Sequence, residues 1–206
     1  MRRGVFITLE GSEGSGKSSQ GRQLVRWLRR VGHRVVFVRD PGSTALGRAL
    51  RRMLLHTTTP LTAMAEALLF IGGRVQLVDE RIAPALRRGR TVVCDRFHDS
   101  TMAYQGFGGR LDELRLQRIG RRAIRGLMPS LTILLDLPVE RGFARLRCSR
   151  DRMERKELAF HRRVRRGYRA LARREPARFV VIDAARPPAQ VWQVIERAVA
   201  KRIGHS

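Results

Sequence analysis

The chain has 206 residues, 43% of them hydrophobic, which fits one globular domain with a sizeable core and excludes a disordered or fibrous protein. Its formal net charge is +25, and lysine stands only at positions 17, 156 and 201, so nearly all of the basic residues are arginine. No apolar run is long enough to cross a bilayer, and the first apolar stretch stops at Glu10, too early for a signal peptide; a cytoplasmic protein without a membrane partner is expected. Such a charge is typical of nucleic-acid binders, yet arginines such as Arg26, Arg29, Arg34, Arg48 and Arg52 are scattered and no basic tail collects them. They read as solvated surface, and nucleic acid is not the expected partner.

The first element is an apolar strand, Val5–Leu9, and it feeds into Gly11-Ser12-Glu13-Gly14-Ser15-Gly16-Lys17-Ser18. This is G-x-x-x-x-G-K-S between a strand and a helix, the pattern of a phosphate-binding loop. Its glycines let the backbone wrap an anion with N–H groups turned inward, and the following helix adds its positive end. Lys17 supplies a point charge for the outer phosphates, and the Ser18 hydroxyl a ligand for their magnesium. Leu24, Leu28 and Val31 share one face of that helix, which Gly32 stops.

A second strand, Arg34–Val38, leads into the turn Arg39-Asp40-Pro41-Gly42, which sets Arg39 beside the phosphate site. Leu46, Leu50, Met53 and Leu54 mark a second helix, and Ala65 to Leu86 reads as one long helix or two joined ones, with Pro84 near its end. There Phe70 and Arg74 share a face, as a core pair or as a ring and guanidinium for a base. A third strand, Thr91–Cys94, ends in Asp95-Arg96-Phe97. Asp95 is placed to hold magnesium or its waters, and Arg96 to clamp a phosphate; an ion pair between them is the plainer alternative. Leu111 to Leu127 is helical, Leu131–Leu137 is a fourth strand, Asp151 to Arg174 a long basic helix, Phe179–Ile182 a fifth strand and Pro188 to Ile203 a last helix. Arginines crowd residues 145 to 155, either as a loop closing over phosphates or as a solvated helix start. Cys94 and Cys148 are far apart and match no metal or disulfide pattern.

Continuously apolar strands alternating with helices predict a three-layer α/β fold of the P-loop type: a mostly or wholly parallel five-stranded sheet flanked by helices, with a short arginine-rich lid at about 145–156. Residues 1–206 are read as one domain, with ligands beyond the carboxyl ends of the strands.

Blocks along nearly the whole chain resemble the thymidylate kinases: residues 9–18, Arg-Asp-Pro-Gly-Ser-Thr at 39–44, Glu-Ala-Leu-Leu-Phe at 66–70 with Arg74 and Gln76, Asp-Arg-Phe at 95–97, Ser-Thr-Met-Ala-Tyr-Gln-Gly at 100–106, and Asp-Arg-Met-Glu at 151–154. The resemblance implies transfer of the γ-phosphoryl of ATP to dTMP, with Mg2+, by a homodimer. It implies that Glu13 lies near the sugar, Arg39 and Arg96 hold the acceptor phosphate, Phe70 stacks on thymine and Arg74 donates to a base carbonyl. Ser100, Tyr104 and Gln105 would line the nucleoside pocket, the tyrosine favouring deoxyribose. Position 14 is glycine where some members carry a catalytic arginine, so that charge is expected from Arg147, Arg150 or Arg152 in the lid. Gly73, Phe97 and Asp40 stand where the family commonly has Asp, Tyr and Glu. The alternatives are a kinase for another pyrimidine monophosphate, a nucleotide-binding module without catalysis, and a basic nucleic-acid-binding protein.

Overall fold

The computed structural model describes residues 4–146 and 151–204. Five strands run β1 Phe6–Glu10, β2 Val35–Arg39, β3 Thr91–Asp95, β4 Leu131–Asp136 and β5 Phe179–Asp183, and form one sheet in the order β2-β3-β1-β4-β5. Every pairing is parallel. Asp95 is in register with Leu9 of β1 and with Arg39 of β2, so three strands finish level at one edge of the sheet.

The helices are α1 Lys17–Arg30, α2 Ala45–His56, α3 Ala63–Leu77, α4 Ala83–Arg87, α5 His98–Thr101, α6 Glu113–Ala123, α7 Val139–Ala144, α8 Leu158–Arg174 and α9 Pro188–Gly204. Alternation along the strands assigns their partners. Ile7, Leu9, Val93, Ile133 and Leu135 face α1 and α9, meeting Leu24, Leu28, Ile195 and Val199. Phe6, Val92 and Cys94 face the other way, towards Leu77 and Ile82. Leu134 faces the same layer and joins Tyr168, Leu171 and Phe160 of α8. The expected five-stranded, wholly parallel three-layer architecture is present. The same alternation puts Glu10 on the α8 side of the sheet.

The expected helix from Ala65 to Leu86 is continuous but changes pitch. Residues Val78–Ile82 widen into a π-helical turn just before Pro84. Proline has no N–H and its ring crowds the preceding turn, and the wider turn accommodates both. Residues Met102–Gly108 widen in the same way after α5 and carry Tyr104 and Gln105.

Several boundaries and faces differ from expectation. The helix expected from Asp151 begins only at Leu158, because Asp151 Oδ1 accepts from the N–H groups of Met153 and Glu154 and closes a local turn. The helix expected over Leu111–Leu127 is Glu113–Ala123, capped by Asp112, whose carboxylate accepts from Arg115 N–H. Val31 ends α1 and is exposed, as are Leu46 and Met53 on α2, where only Leu54 of the expected apolar set is fully buried. Among the described residues no helix is long and apolar enough to cross a membrane.

Candidate functional site

The phosphate-binding loop joins β1 to α1 at the level edge of the sheet. Gly14 has φ +67°, and a Cβ there would stand 2.2 Å from the Gly142 carbonyl oxygen on α7. A side chain fits neither that backbone nor that space. Gly16 caps α1 at φ 88°. Lys17 curls over the loop, donating to the carbonyl oxygens of Gly11 at 2.9 Å and Ser12 at 2.7 Å and to Ser15 Oγ at 3.3 Å. Burial and the neighbouring Arg96 charge bring its pKa down to about 8.

Ser18 opens α1 and donates its hydroxyl to Asp95 Oδ2 at 3.0 Å. Arg39, ending β2, reaches Ser18 Oγ and the same Asp95 oxygen, each at 3.2 Å. A hydroxyl and a carboxylate so close are hard oxygen donors that fit a magnesium ion whose other ligands are phosphate oxygens and water. Among the described residues no group of three or more His, Cys, Asp or Glu could hold a metal without such help.

Arg96 follows β3 with a left-handed backbone, φ 69°. That conformation is costly for a non-glycine residue and is held by the contacts around it. Its Nη1 donates to the Gly11 carbonyl oxygen, Ser100 Oγ and the Tyr168 hydroxyl at 3.1 to 3.2 Å. Its Nη2 donates to Glu13 at 2.8 Å and to the Tyr104 hydroxyl at 3.1 Å. Burial opposes the charge, but Tyr104, Glu13, Tyr168 and Glu10 outweigh it, and the guanidinium pKa lies well above its ordinary value. Burial would likewise raise Glu13; Arg96, Lys17 and a hydrogen bond from Tyr104 instead hold it down to about 2.

Behind this layer sits Glu10, fully buried at the end of β1. It accepts from Phe97 N–H at 2.7 Å, Ser100 Oγ at 2.6 Å and the Tyr168 hydroxyl at 2.9 Å. Burial, with the charge of Asp99, raises its pKa to about 7. Glu10 and Tyr168 had not been singled out from sequence. An acid ending an apolar strand was a signal for Glu10, the same one that marked Asp95. Tyr168 lies 158 positions further along and carries no local signal.

A cleft of about 320 Å³ opens over these groups. It is lined by the loop from Glu13 to Ser18 and by Arg39, Asp95, Arg96, Ser100, Tyr104, Gln105 and Phe70. Arg51, Asp151 and Glu154 also line it, and sequence reasoning missed them. Arg74 is placed differently from the expectation of an open base contact. It is buried, ion-paired to Asp40, donates to Thr101 Oγ1 at 2.9 Å and is absent from the lining. Among the described residues its Nη1 and Asp40 Oδ1 have no hydrogen-bond partner, so an unspent donor and an unspent acceptor lie just behind the cleft wall formed by Asp40 and Thr101.

Of the three lid arginines expected to serve catalysis, Arg147 and Arg150 lie outside the described residues. Arg152 is tied to the buried Glu66 carboxylate and to the Leu54 carbonyl oxygen at 2.7 Å, and does not line the cleft. Glu66, on the helix that carries Phe70, also accepts from Gln105 Nε2 at 2.8 Å, so one carboxylate ties that helix to both the 102–108 turn and the lid segment. Arg145 donates to the Ala184 and Gly14 carbonyl oxygens at 3.1 and 3.5 Å, bracing the loop from outside.

The arrangement offers amides and a lysine for one polyphosphate, two arginines for a second phosphate, and a flat ring with buried polar groups beyond it. Comparison with known proteins identifies the family. Residues 9–195 match the family model described as thymidylate kinase. The chain is 50% identical to a thymidylate kinase of Synechococcus sp. (strain JA-2-3B'a(2-13)), covering 93% of this chain and 94% of the relative. It is 46% identical to one of Deinococcus radiodurans, over the full length of both. A crystal structure of thymidylate kinase from Ehrlichia chaffeensis superposes with a TM-score of 0.80 at 30% identity, covering 96% of this chain and 99% of that one.

Proposed function

Because the chain belongs to the thymidylate kinase family, we propose that it transfers the γ-phosphoryl group of ATP to dTMP, giving dTDP and ADP. The observation that carries this reading is the single cleft that joins the phosphate-binding loop to Arg39, Arg96 and Phe70. A donor phosphate and an acceptor phosphate have cationic holders on facing walls, and a base has a ring to lie on.

In this reading Lys17 leaves the loop carbonyls and moves onto the β- and γ-phosphates, joined by the amides of residues 11–18. Its displacement leaves Gly11 and Ser12 to be resolvated or bound through the nucleotide. Ser18 and Asp95 hold the magnesium or its waters, and magnesium when bound neutralises phosphate charge. Arg39 gives up its contact with Asp95 to reach the acceptor phosphate, which Arg96 meets from the other side. Arg96 needs little rearrangement, since five hydrogen bonds already fix its fork. Glu13 and Tyr104 bound the sugar, and Phe70 stacks on the base. Arg74 Nη1, already desolvated, is the donor for a carbonyl reached through the Asp40–Thr101 wall. Ser100 and Gln105 act from the pocket floor. A lid over residues 145–156 closes on the phosphates, excluding water that would otherwise hydrolyse ATP. Arg147 or Arg150 supplies the charge that Gly14 does not; Arg152 takes that role only if it releases Glu66. The domain works as a unit in the cytoplasm, as a homodimer.

Chromatographic detection of dTDP from ATP, Mg2+ and dTMP tests the reading. Wild-type protein forms dTDP and Lys17→Ala does not; equal product from both would refute the donor site, and none from the wild type would refute the activity.

A further inference from the structure

The arginine load is not uniform over the folded surface. Arg110, Arg162, Arg163, Arg165, Arg166 and Arg169 converge on one groove of about 460 Å³ between α7, α8 and the end of the 102–108 turn. Among the described residues Glu140 is the one carboxylate in its lining. Three of the guanidiniums are committed: Arg162 to Glu140, Arg165 to both oxygens of Asp136, and Arg163 to the Gly108 carbonyl oxygen. The guanidiniums of Arg110, Arg166 and Arg169 make no ion pair or hydrogen bond among the described residues.

Helix geometry orders the exposed charges. Arg162, Arg166, Arg169 and Arg173 fall three or four residues apart and are all exposed, so they form a straight stripe along α8. At 1.5 Å per residue the stripe is about 16 Å long with a charge every 5–6 Å, roughly the scale of successive phosphates on an extended strand. The opposite face of α8 is spent on the core through Phe160, Val164, Tyr168 and Leu171. No apolar face is therefore left for a membrane, and the groove's lining contains no aromatic ring to read a base.

We infer that the groove along α8 binds the phosphate backbone of single-stranded nucleic acid, without sequence preference and apart from the catalytic cleft. The guanidiniums of Arg110, Arg166 and Arg169, without a side-chain partner among the described residues, are complementary to a polyphosphate chain, and the net charge of +25 draws such a chain in. A flexible single strand follows the groove along α8 more closely than a stiff duplex. Sequence reasoning took the arginines to be scattered; folding collects part of them in one place.

The test is fluorescence anisotropy with labelled single-stranded oligo(dA), which offers phosphates without the thymine that the cleft is built for. Two charge-matched variants are compared: Arg110→Glu/Arg166→Glu/Arg169→Glu in the groove, and Arg26→Glu/Arg29→Glu/Arg30→Glu on exposed positions of α1. Wild-type binding weakens with salt, with a log–log slope near −3 for about four phosphates, or roughly 50-fold between 50 and 200 mM salt. The groove variant loses at least about tenfold in affinity and the α1 variant less than about threefold, while both retain dTMP phosphorylation. Should the reversed groove variant lose that activity, the neutral Arg166→Gln/Arg169→Gln pair takes its place with the same ordering expected. Equal weakening by the groove and α1 variants, tighter binding of duplex than of single strand, or no binding by the wild type would each overturn the inference.

Discussion

The hydroxyl of Tyr168 lies between Glu10 and Arg96, donating to Glu10 Oε2 at 2.9 Å and standing 3.1 Å from Arg96 Nη1, whose N–H it accepts. One oxygen from α8 thus ties the end of β1 to the arginine after β3. Tyr168→Phe removes it while keeping the ring in its core cluster. Loss of a hydrogen bond to a charged group corresponds to about 1.5 kcal/mol, or roughly tenfold. We expect kcat/KM for dTMP to fall about tenfold, with the KM for ATP unchanged; steady-state kinetics with each substrate varied separates the two.

The buried carboxyl of Glu10 makes stability depend on pH. Its pKa rises from 4.5 to about 7 in the fold, so the folded protein binds a proton that the unfolded chain has released. Its contribution is fully favourable below pH 4.5, is lost as pH rises through about 7, and stays lost above. Glu10→Gln keeps an acceptor for Phe97 N–H and has no charge to bury. Its melting temperature rises relative to wild type at about pH 8, and the gap closes towards pH 4.5. Thermal melts across that range check the sign.

Phe70 is half-buried on the cleft wall, so trimming it affects a ligand more than the core. Base–aromatic stacking is worth about 1–3 kcal/mol. Phe70→Ala is expected to raise the KM for dTMP about 5- to 100-fold, with a smaller effect on kcat.

The loop and α7 touch through backbone at Gly142. An added Cβ would come 2.4 Å from the Glu13 carbonyl oxygen, with no flexible side chain to give way. Gly142→Ala therefore pushes the phosphate-binding loop out of place. Overpacking of this kind costs about 1–3 kcal/mol, and ATP affinity falls with it. Calorimetric melting and nucleotide titration of the same variant report both effects.

Much of this was legible in the chain because it is local. The loop glycines, Lys17 and Ser18 are adjacent, and five apolar runs sufficed for a parallel sheet. Asp95 and Arg96 stood out as charges ending a strand. What the sequence hid depends on distant partners. Tyr168 reaches Glu10 only because period-two alternation turns Glu10 towards α8. Arg74 reads from sequence either as a core partner of Phe70 or as a base ligand, and it is sunk behind Asp40 and Thr101, 34 and 27 positions away. Arg152 looked mobile and is held by Glu66. The convergence of arginines on α8 needed the fold to bring Arg110 beside the helix stripe.

Thymidylate is the acceptor proposed for this cleft. The direct measurement is kcat/KM for dTMP, dUMP, dCMP, dGMP, AMP and UMP with ATP and Mg2+, followed by coupled release of ADP. We predict that dTMP is preferred over every other monophosphate, with the ribonucleotides poorest, Tyr104 being the residue proposed to stand against the sugar. Equal turnover of all six, or a preference for a purine, would contradict it.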